Sequence, residues 1–290
     1  MKTKFIRRTL AIYRRDKMAI FFSFLALLIT LLIYVFFLRD NILLAMPKGI
    51  HAKKYVDLWM IAGLISIVGI SASLAPFEQR IKDNLDHKQD DFIVNNQMTK
   101  WSMSVSYLIA AIIEASLSTL AFIVIAYAYL YVQAKSLLSV KMFVQTIGYA
   151  FLLVLFGCLF FACITNLVNS ISVFSSLSAI VGALTGFFSG SYIIFGELPS
   201  FMQKLVVKWP GYEIAGLIRN IMVKNVAIPS AYKPKLNKGL GILTDAKSAA
   251  FVLIIWILIL LVLLLVEAVM SNRNSRIKKL ERGSGLSNNN

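Results

Sequence analysis

Six stretches of almost unbroken apolar residues stand near 18–38, 56–76, 107–131, 143–167, 172–195 and 249–268, and one polar insert of about fifty residues separates the fifth from the sixth. Each approaches the roughly 20 residues that a helix needs to cross a ~30 Å hydrocarbon layer. The stretches are apolar on every side and lack the alternation of a barrel strand. In lipid the backbone must satisfy its own polar groups, so helices are expected. The pattern predicts an all-α integral membrane protein with six transmembrane helices, formed by one domain over 1–272 and followed by a basic, flexible tail over 273–290. The first stretch ends in Leu38-Arg39-Asp40 instead of a small-residue cleavage site, so it is expected to stay in the mature chain.

Residues 3–17 set Phe5, Ile6, Leu10 and Tyr13 among arginines, which predicts an interfacial elbow helix before the first span. After the second span, Phe77, Ile81 and Leu85 recur every fourth residue, and Lys82 can pair with Glu78 or Asp86. That stripe either folds back on the inner ends of the spans or docks a soluble subunit. The fifth span carries Ser178, Gly182, Gly186 and Gly190 at four-residue intervals, a ladder that lets backbones approach closely in lipid. It predicts a central helix, with internal packing and a subunit interface both open. Within the insert, Pro199 suits a helix start and Pro210-Gly211 a break, which predicts two short outer re-entrant or interfacial helices. Residues 225–247, with Pro229 and Pro234, read as an exposed loop.

A formal charge of +16 in a soluble domain would suggest nucleic acid, but here the basic residues flank apolar spans, where topology and anionic lipid explain them. Lys2, Lys4, Arg7, Arg8, Arg14, Arg15 and Lys17 precede the first span, and Arg273, Arg276, Lys278, Lys279 and Arg282 follow the last. By the positive-inside rule both termini are expected in the cytoplasm.

Candidate chemistry is sparse. Cys158 and Cys163 share one span, His51 and His87 fall on different loops, and neither a metal cluster nor a disulfide framework can be assembled from them. No phosphate-binding G-x-x-x-x-G-K-[ST] run and no nucleophile–base set occurs, so no catalytic residue, metal or cofactor is expected in this chain. Glu114 is the acid deepest in a span. A carboxylate in lipid costs several kcal/mol, so it either lines a substrate route or stays protonated and bonded to hydroxyls nearby. Glu267, near the inner end of the sixth span, is expected to meet Arg273 or lipid headgroups.

Three segments carry a family resemblance. TLAIYRRDKMAIFFSFLALLITLLIYVFFL is similar to the basic elbow and first span of ABC-2 type permeases, the membrane subunits of bacterial ATP-binding-cassette exporters of the multidrug or bacteriocin-resistance sort. IKDNLDHKQDDFIVNN resembles their charged cytoplasmic segment, which ends in an Asp-Phe pair (Asp91-Phe92); Asn95-Asn96 stand where members often have Ser-Pro. TGFFSGSYIIFGELPSFMQKLVVKWPGYEIAGLIRNIMV resembles the glycine-rich fifth span and outer re-entrant region, through Gly186, Gly190, Tyr192, Gly196, Leu198, Pro199, Pro210 and Arg219.

The resemblance implies a permease subunit of an ATP-driven exporter in the cytoplasmic membrane. It would pair with a second permease subunit, identical or related, and with ATP-binding subunits that hold ATP and Mg. It also implies an ATPase-coupling surface at Arg14, Arg15, Asp16, Lys82, Asp83, Asp90, Asp91 and Phe92; the substrate path, if the chain has one, is expected to touch Glu114 and Tyr192. Two other readings are a non-transporting membrane immunity or binding protein and an ion-coupled secondary transporter, the latter expected to show more embedded charge and repeated halves.

Overall fold

The structure is a computed structural model that describes residues 2–44, 52–96, 98–134, 139–166, 168, 170–226, 233–242 and 245–287. His51 and Pro229 lie outside the described residues, as do the side chains of Asn95, Asn96 and Pro234 and of the basic residues from Arg273 onward.

Among the described residues the chain is all helical. The order is α1 (Lys2–Arg15), α2 (Lys17–Ile33), a π-helical turn (Tyr34–Leu38), α3 (Arg39–Leu44), α4 (Ala52–Ser71), α5 (Phe77–Leu85), α6 (Lys88–Asn96), α7 (Lys100–Ala134), α8 (Val140–Thr165) and α9 (Ile171–Phe188). A 3-10 turn (Phe195–Glu197), α10 (Ser200–Val206), α11 (Pro210–Val223), α12 (Lys233–Gly239) and α13 (Ala246–Ser287) complete it.

Among the described residues five helices, within α4, α7, α8, α9 and α13, are long and apolar enough to cross a membrane. The first apolar run folds differently from an unbroken span. Its α-helix has 17 residues before the π turn takes over, and α3 continues directly from that turn. The last helix takes in residues 273–287, which the sequence reads as a flexible tail.

The centre of the bundle is α4, not the glycine-laddered helix. In its most apolar window 89 % of residues are buried, against 50 % in α8, 39 % in α7 and 17 % in each of α9 and α13. What covers α4 is largely α11. Ser66 donates to the Gly211 carbonyl at 2.7 Å, while Arg219 reaches the Trp59 carbonyl at 3.4 Å, so the two helices run antiparallel along each other. Small residues permit this approach: a Cβ on Gly211 would collide with Ile70 and Trp209, and one on Gly63 with Ser191 and Arg219. The insert therefore dips into the bundle and buries nearly one whole helix; of the re-entrant and interfacial alternatives that the sequence leaves open, α11 packs inward against α4.

Prolines shape that dip. Pro199 caps α10, whose seven residues are fewer than the proline spacing predicts, and Pro210 occupies the first turn of α11. Between them Trp209 wedges among Phe156, Phe160, Phe188 and Trp256, with ring centroids 5.1–5.7 Å away. Trp256 donates to the Lys208 carbonyl at 2.8 Å and ties the wedge to the last helix.

Candidate functional site

Three buried polar clusters stand out. The first joins α1 to the segment after α4. Asp83 on α5 is fully buried and accepts from Arg8 at 2.9 and 3.2 Å, from Tyr107 of α7 at 2.6 Å and from Gln79 at 2.8 Å. The Arg8 guanidinium also lies 4.8 Å from the Phe92 ring centroid. Phe5 packs edge-on against Phe92 and Tyr107 at 5.2 and 5.0 Å, and Met98 and Met103 close the cluster. Burial pushes the Asp83 carboxyl up, but the bonds from Arg8 and Tyr107 and the Arg8 charge outweigh it, and the carboxyl titrates below its ordinary value.

The residues read as a coupling surface therefore divide. Asp83 is bound inside the chain and Phe92 is half-buried on Arg8, whereas Arg14, Arg15, Asp16, Asp90 and Asp91 are exposed. Lys82, half-buried, pairs with Glu78 at 2.7 Å as expected, but Asp86 pairs with Lys88 at 2.6 Å instead of with Lys82. The apolar stripe Phe77 and Ile81 folds back into the core, while Leu85 stays exposed.

The second cluster lies at the other end of α4. Asp57 takes a bidentate bond from Arg39 at 2.8 and 2.7 Å, a short one from Tyr34 at 2.5 Å and a weaker one from Tyr129 at 3.4 Å. The π turn explains the geometry. Five residues apart in an α-helix, Tyr34 and Arg39 would point about 140° away from each other at 3.6 residues per turn. The wider π turn brings i and i+5 toward one face, so both reach one carboxylate. Sequence reading missed this pair; its signal was one opposite charge at each end of the loop joining the first two apolar stretches.

The third cluster surrounds Arg219, which is wholly buried with no carboxylate partner among the described residues. It donates to the Gly190 carbonyl at 3.0 Å and to Ser191 at 3.1 Å, and its guanidinium stacks 4.6 Å from the Trp59 ring. One terminal nitrogen, Nη1, has no partner. Gly190 adopts φ +62°, a conformation natural to glycine, and this turn presents its carbonyl to Arg219. Thus Gly190 and Arg219 form one anchor that holds α11 to α4 and to the end of α9, while Pro210 starts α11 at its other end.

The remaining predicted residues scatter. Gly196 packs against Gly239, Leu198 is buried and accepts from Gln203, and Tyr192 is half exposed with its ring across Gly186. Glu114 on α7 is 3 % exposed, its Oε1 without a hydrogen-bond partner, and no bond or ring contact joins it to Tyr192. The hydroxyl bonding weighed for it is thus not found at that oxygen. Ser178 bonds its own helix at the Phe174 carbonyl, and a Cβ on Gly182 would meet open space. Glu267 accepts from Asn166, which in turn accepts from Arg80 and so links α13, α8 and α5. Among the described residues no group of three metal-ligating side chains occurs.

No protein-family model matches the chain, and no curated protein matches it significantly.

Proposed function

We propose that this chain is the permease subunit of an ATP-driven exporter, moving an amphiphilic drug, peptide or lipid-like molecule out across the cytoplasmic membrane of a bacterium. The observation that carries the proposal is the packing of α1 and α5 on α7 through the Arg8–Asp83–Tyr107 cluster, with Phe92 of α6 against Arg8. A force applied there reaches the spans directly, which is what coupling to a separate ATPase requires.

In this reading α2 with the π turn and α3 is the sixth span, α1 is the elbow, and both termini are cytoplasmic. Lys82, Asp90 and Asp91 face an ATP-binding subunit that holds ATP and Mg, while Asp83 and Phe92 transmit within the chain. The exposed small-residue face of α9 meets a second permease subunit, and Glu114 and Tyr192 touch the substrate path. A contrast supports the α9 assignment: α9 and α13 are equally bare, yet α13 exposes Phe251, Ile254, Leu258 and Val262, as lipid favours, while α9 exposes Ser172, Ser175, Ser176, Ala179 and Ala183 alongside Ile171, Val173, Ile180, Leu184 and Phe187.

The test is purification of the tagged chain from its native membrane in mild detergent, with its stoichiometric companions identified by mass spectrometry. A P-loop ATPase at equal stoichiometry is the expected result. Its absence under conditions that preserve a known complex overturns the proposal.

A further inference from the structure

We propose that the outward edge of α1 is a binding surface for anionic phospholipid headgroups of the leaflet that α2 enters. This rests on reading α2 as a membrane-entering helix, but not on the exporter assignment.

At 3.6 residues per turn, α1 divides into three sectors. Phe5, Arg8, Thr9 and Ile12 face the protein, where Phe5 and Thr9 are buried and Arg8 is bound to Asp83. Ile6, Leu10 and Tyr13, spaced i, i+4 and i+7, form a half-buried apolar flank beside it. The third sector holds Lys4, Arg7, Arg14 and Arg15, all exposed. No acidic residue occurs anywhere in α1, and none of these four has an ion-pair partner among the described residues.

The neighbouring surface is different. On α5 and α6 the lysines are answered by acids, Lys82 by Glu78 and Lys88 by Asp86, and Asp90 and Asp91 add negative charge to that surface. Lys17 and Lys100 are also exposed at this end without an ion pair among the described residues, but most of the uncompensated cations are those of α1. Only Asp16 separates them from α2, whose 17 residues are almost wholly apolar. That junction places the basic sector at headgroup depth, with the apolar flank alongside to enter the acyl boundary. The strong apolar side of α1 is already committed to protein, so electrostatics must supply most of the attachment. Arg14 and Arg15, which the family resemblance assigns to ATPase coupling, are on this view lipid ligands. Through the Arg8–Asp83 bond, bound lipid would fix the angle of α5 and α6.

The experiment measures lipid retention by the full chain alone in neutral detergent, using native mass spectrometry with added phosphatidylglycerol or phosphatidylcholine. The wild type should retain phosphatidylglycerol preferentially and release it in high salt. Joint replacement of Lys4, Arg7, Arg14 and Arg15 by Gln should weaken retention roughly tenfold or more, while Lys→Arg and Arg→Lys exchanges at the same positions should preserve it. Lys82→Gln with Lys88→Gln, at paired positions, should leave it unchanged. Should the fourfold variant not fold, Arg7→Gln and Arg14→Gln singly should each show a partial loss. Equal retention of both lipids, or retention indifferent to these changes, overturns the proposal; so does undiminished lipid retention with loss of a co-purifying ATPase, which would make the edge a protein contact. Because no ATPase takes part in the lipid measurement, failure of the exporter reading leaves this result intact.

Discussion

Tyr107 and Tyr129, both on α7, each donate to an aspartate already held by an arginine: Tyr107 to Asp83 beside Arg8, and Tyr129 to Asp57 beside Arg39. They stand roughly six turns apart, about 33 Å along the helix at 1.5 Å per residue. That spacing is close to the ~30 Å thickness of a bilayer's hydrocarbon core. The two charge clusters thus fall where a membrane's two polar boundaries would lie, and α7 sets the distance between them.

The Asp83 cluster should leave a pH signature. Because its folded carboxyl titrates below the ordinary value of 3.8, its contribution to stability is fully present above that value and is lost as pH falls through the lower folded one. Asp83→Asn should reduce stability at pH 7 by about 1–3 kcal/mol, discounted because Arg8 remains 29 % exposed. Thermal melts from pH 7 to pH 2 should fall more steeply below about pH 4 in the wild type than in this variant.

The Asp57 cluster should lose stability when its cation goes. Arg39→Ala leaves a buried carboxylate short of its cation, and a loss of about 3–5 kcal/mol is expected in thermal or denaturant unfolding. Deleting Val35 restores α geometry but sets Tyr34 and Arg39 four positions apart, about 40° around the helix, so both should still reach Asp57 and the loss should be clearly smaller than that of Arg39→Ala.

At Arg219 the guanidinium is costly to bury, but Arg219→Met would leave the buried Gly190 and Trp59 carbonyls without their donor, so a loss of about 1–3 kcal/mol is expected. Gly63→Ala, whose methyl would overlap Ser191 and the guanidinium, should cost about 1–3 kcal/mol. Together the two should destabilise by less than their sum, because removing the guanidinium frees part of the space the methyl needs.

The bare face of α9 separates folding from assembly. A Cβ on Gly182 meets nothing within 4 Å, so Gly182→Leu should leave the monomer's unfolding midpoint within about 0.5 kcal/mol of wild type. If a second subunit covers this face, the variant should shift toward monomer in light scattering of the detergent-solubilised protein. An unchanged mass distribution would remove α9 from the interface.

Glu114→Gln replaces a buried carboxyl lacking a partner at one oxygen by a neutral amide of similar shape. Stability should hold or rise by about 1 kcal/mol. A fall in export of a cationic substrate with stability intact would mark a path residue; unchanged export would leave Glu114 a packing residue.

Local pattern carried the helices and their order. Among the described residues five of the six apolar stretches form helices long enough to cross a membrane, the first is interrupted by the π turn, the break read at Pro210-Gly211 falls where α11 starts, and Phe77 and Ile81 of the stripe are buried. The clusters are another matter. Arg8 meets Asp83 across 75 positions, Arg39 meets Asp57 across 18, and Arg219 meets Trp59 across 160. Only Arg39 and Asp57 carried a local mark, opposite charges at the two ends of one loop; in the other two pairs nothing near either partner announces the other.

By itself, then, the sequence determined that this is a helical membrane protein, because hydrocarbon thickness and the need to satisfy the backbone leave few other outcomes. Tertiary structure alone decided that α4 and α11 form the centre, that α9 stays bare, and that Asp83 turns inward while Asp90 and Asp91 face out. The reason is physical. Lipid tails are as apolar as leucine, so a spanning helix needs no polar face to distinguish lipid from protein, and the side it buries is chosen by steric fit and hydrogen bonding with partners far away in the chain.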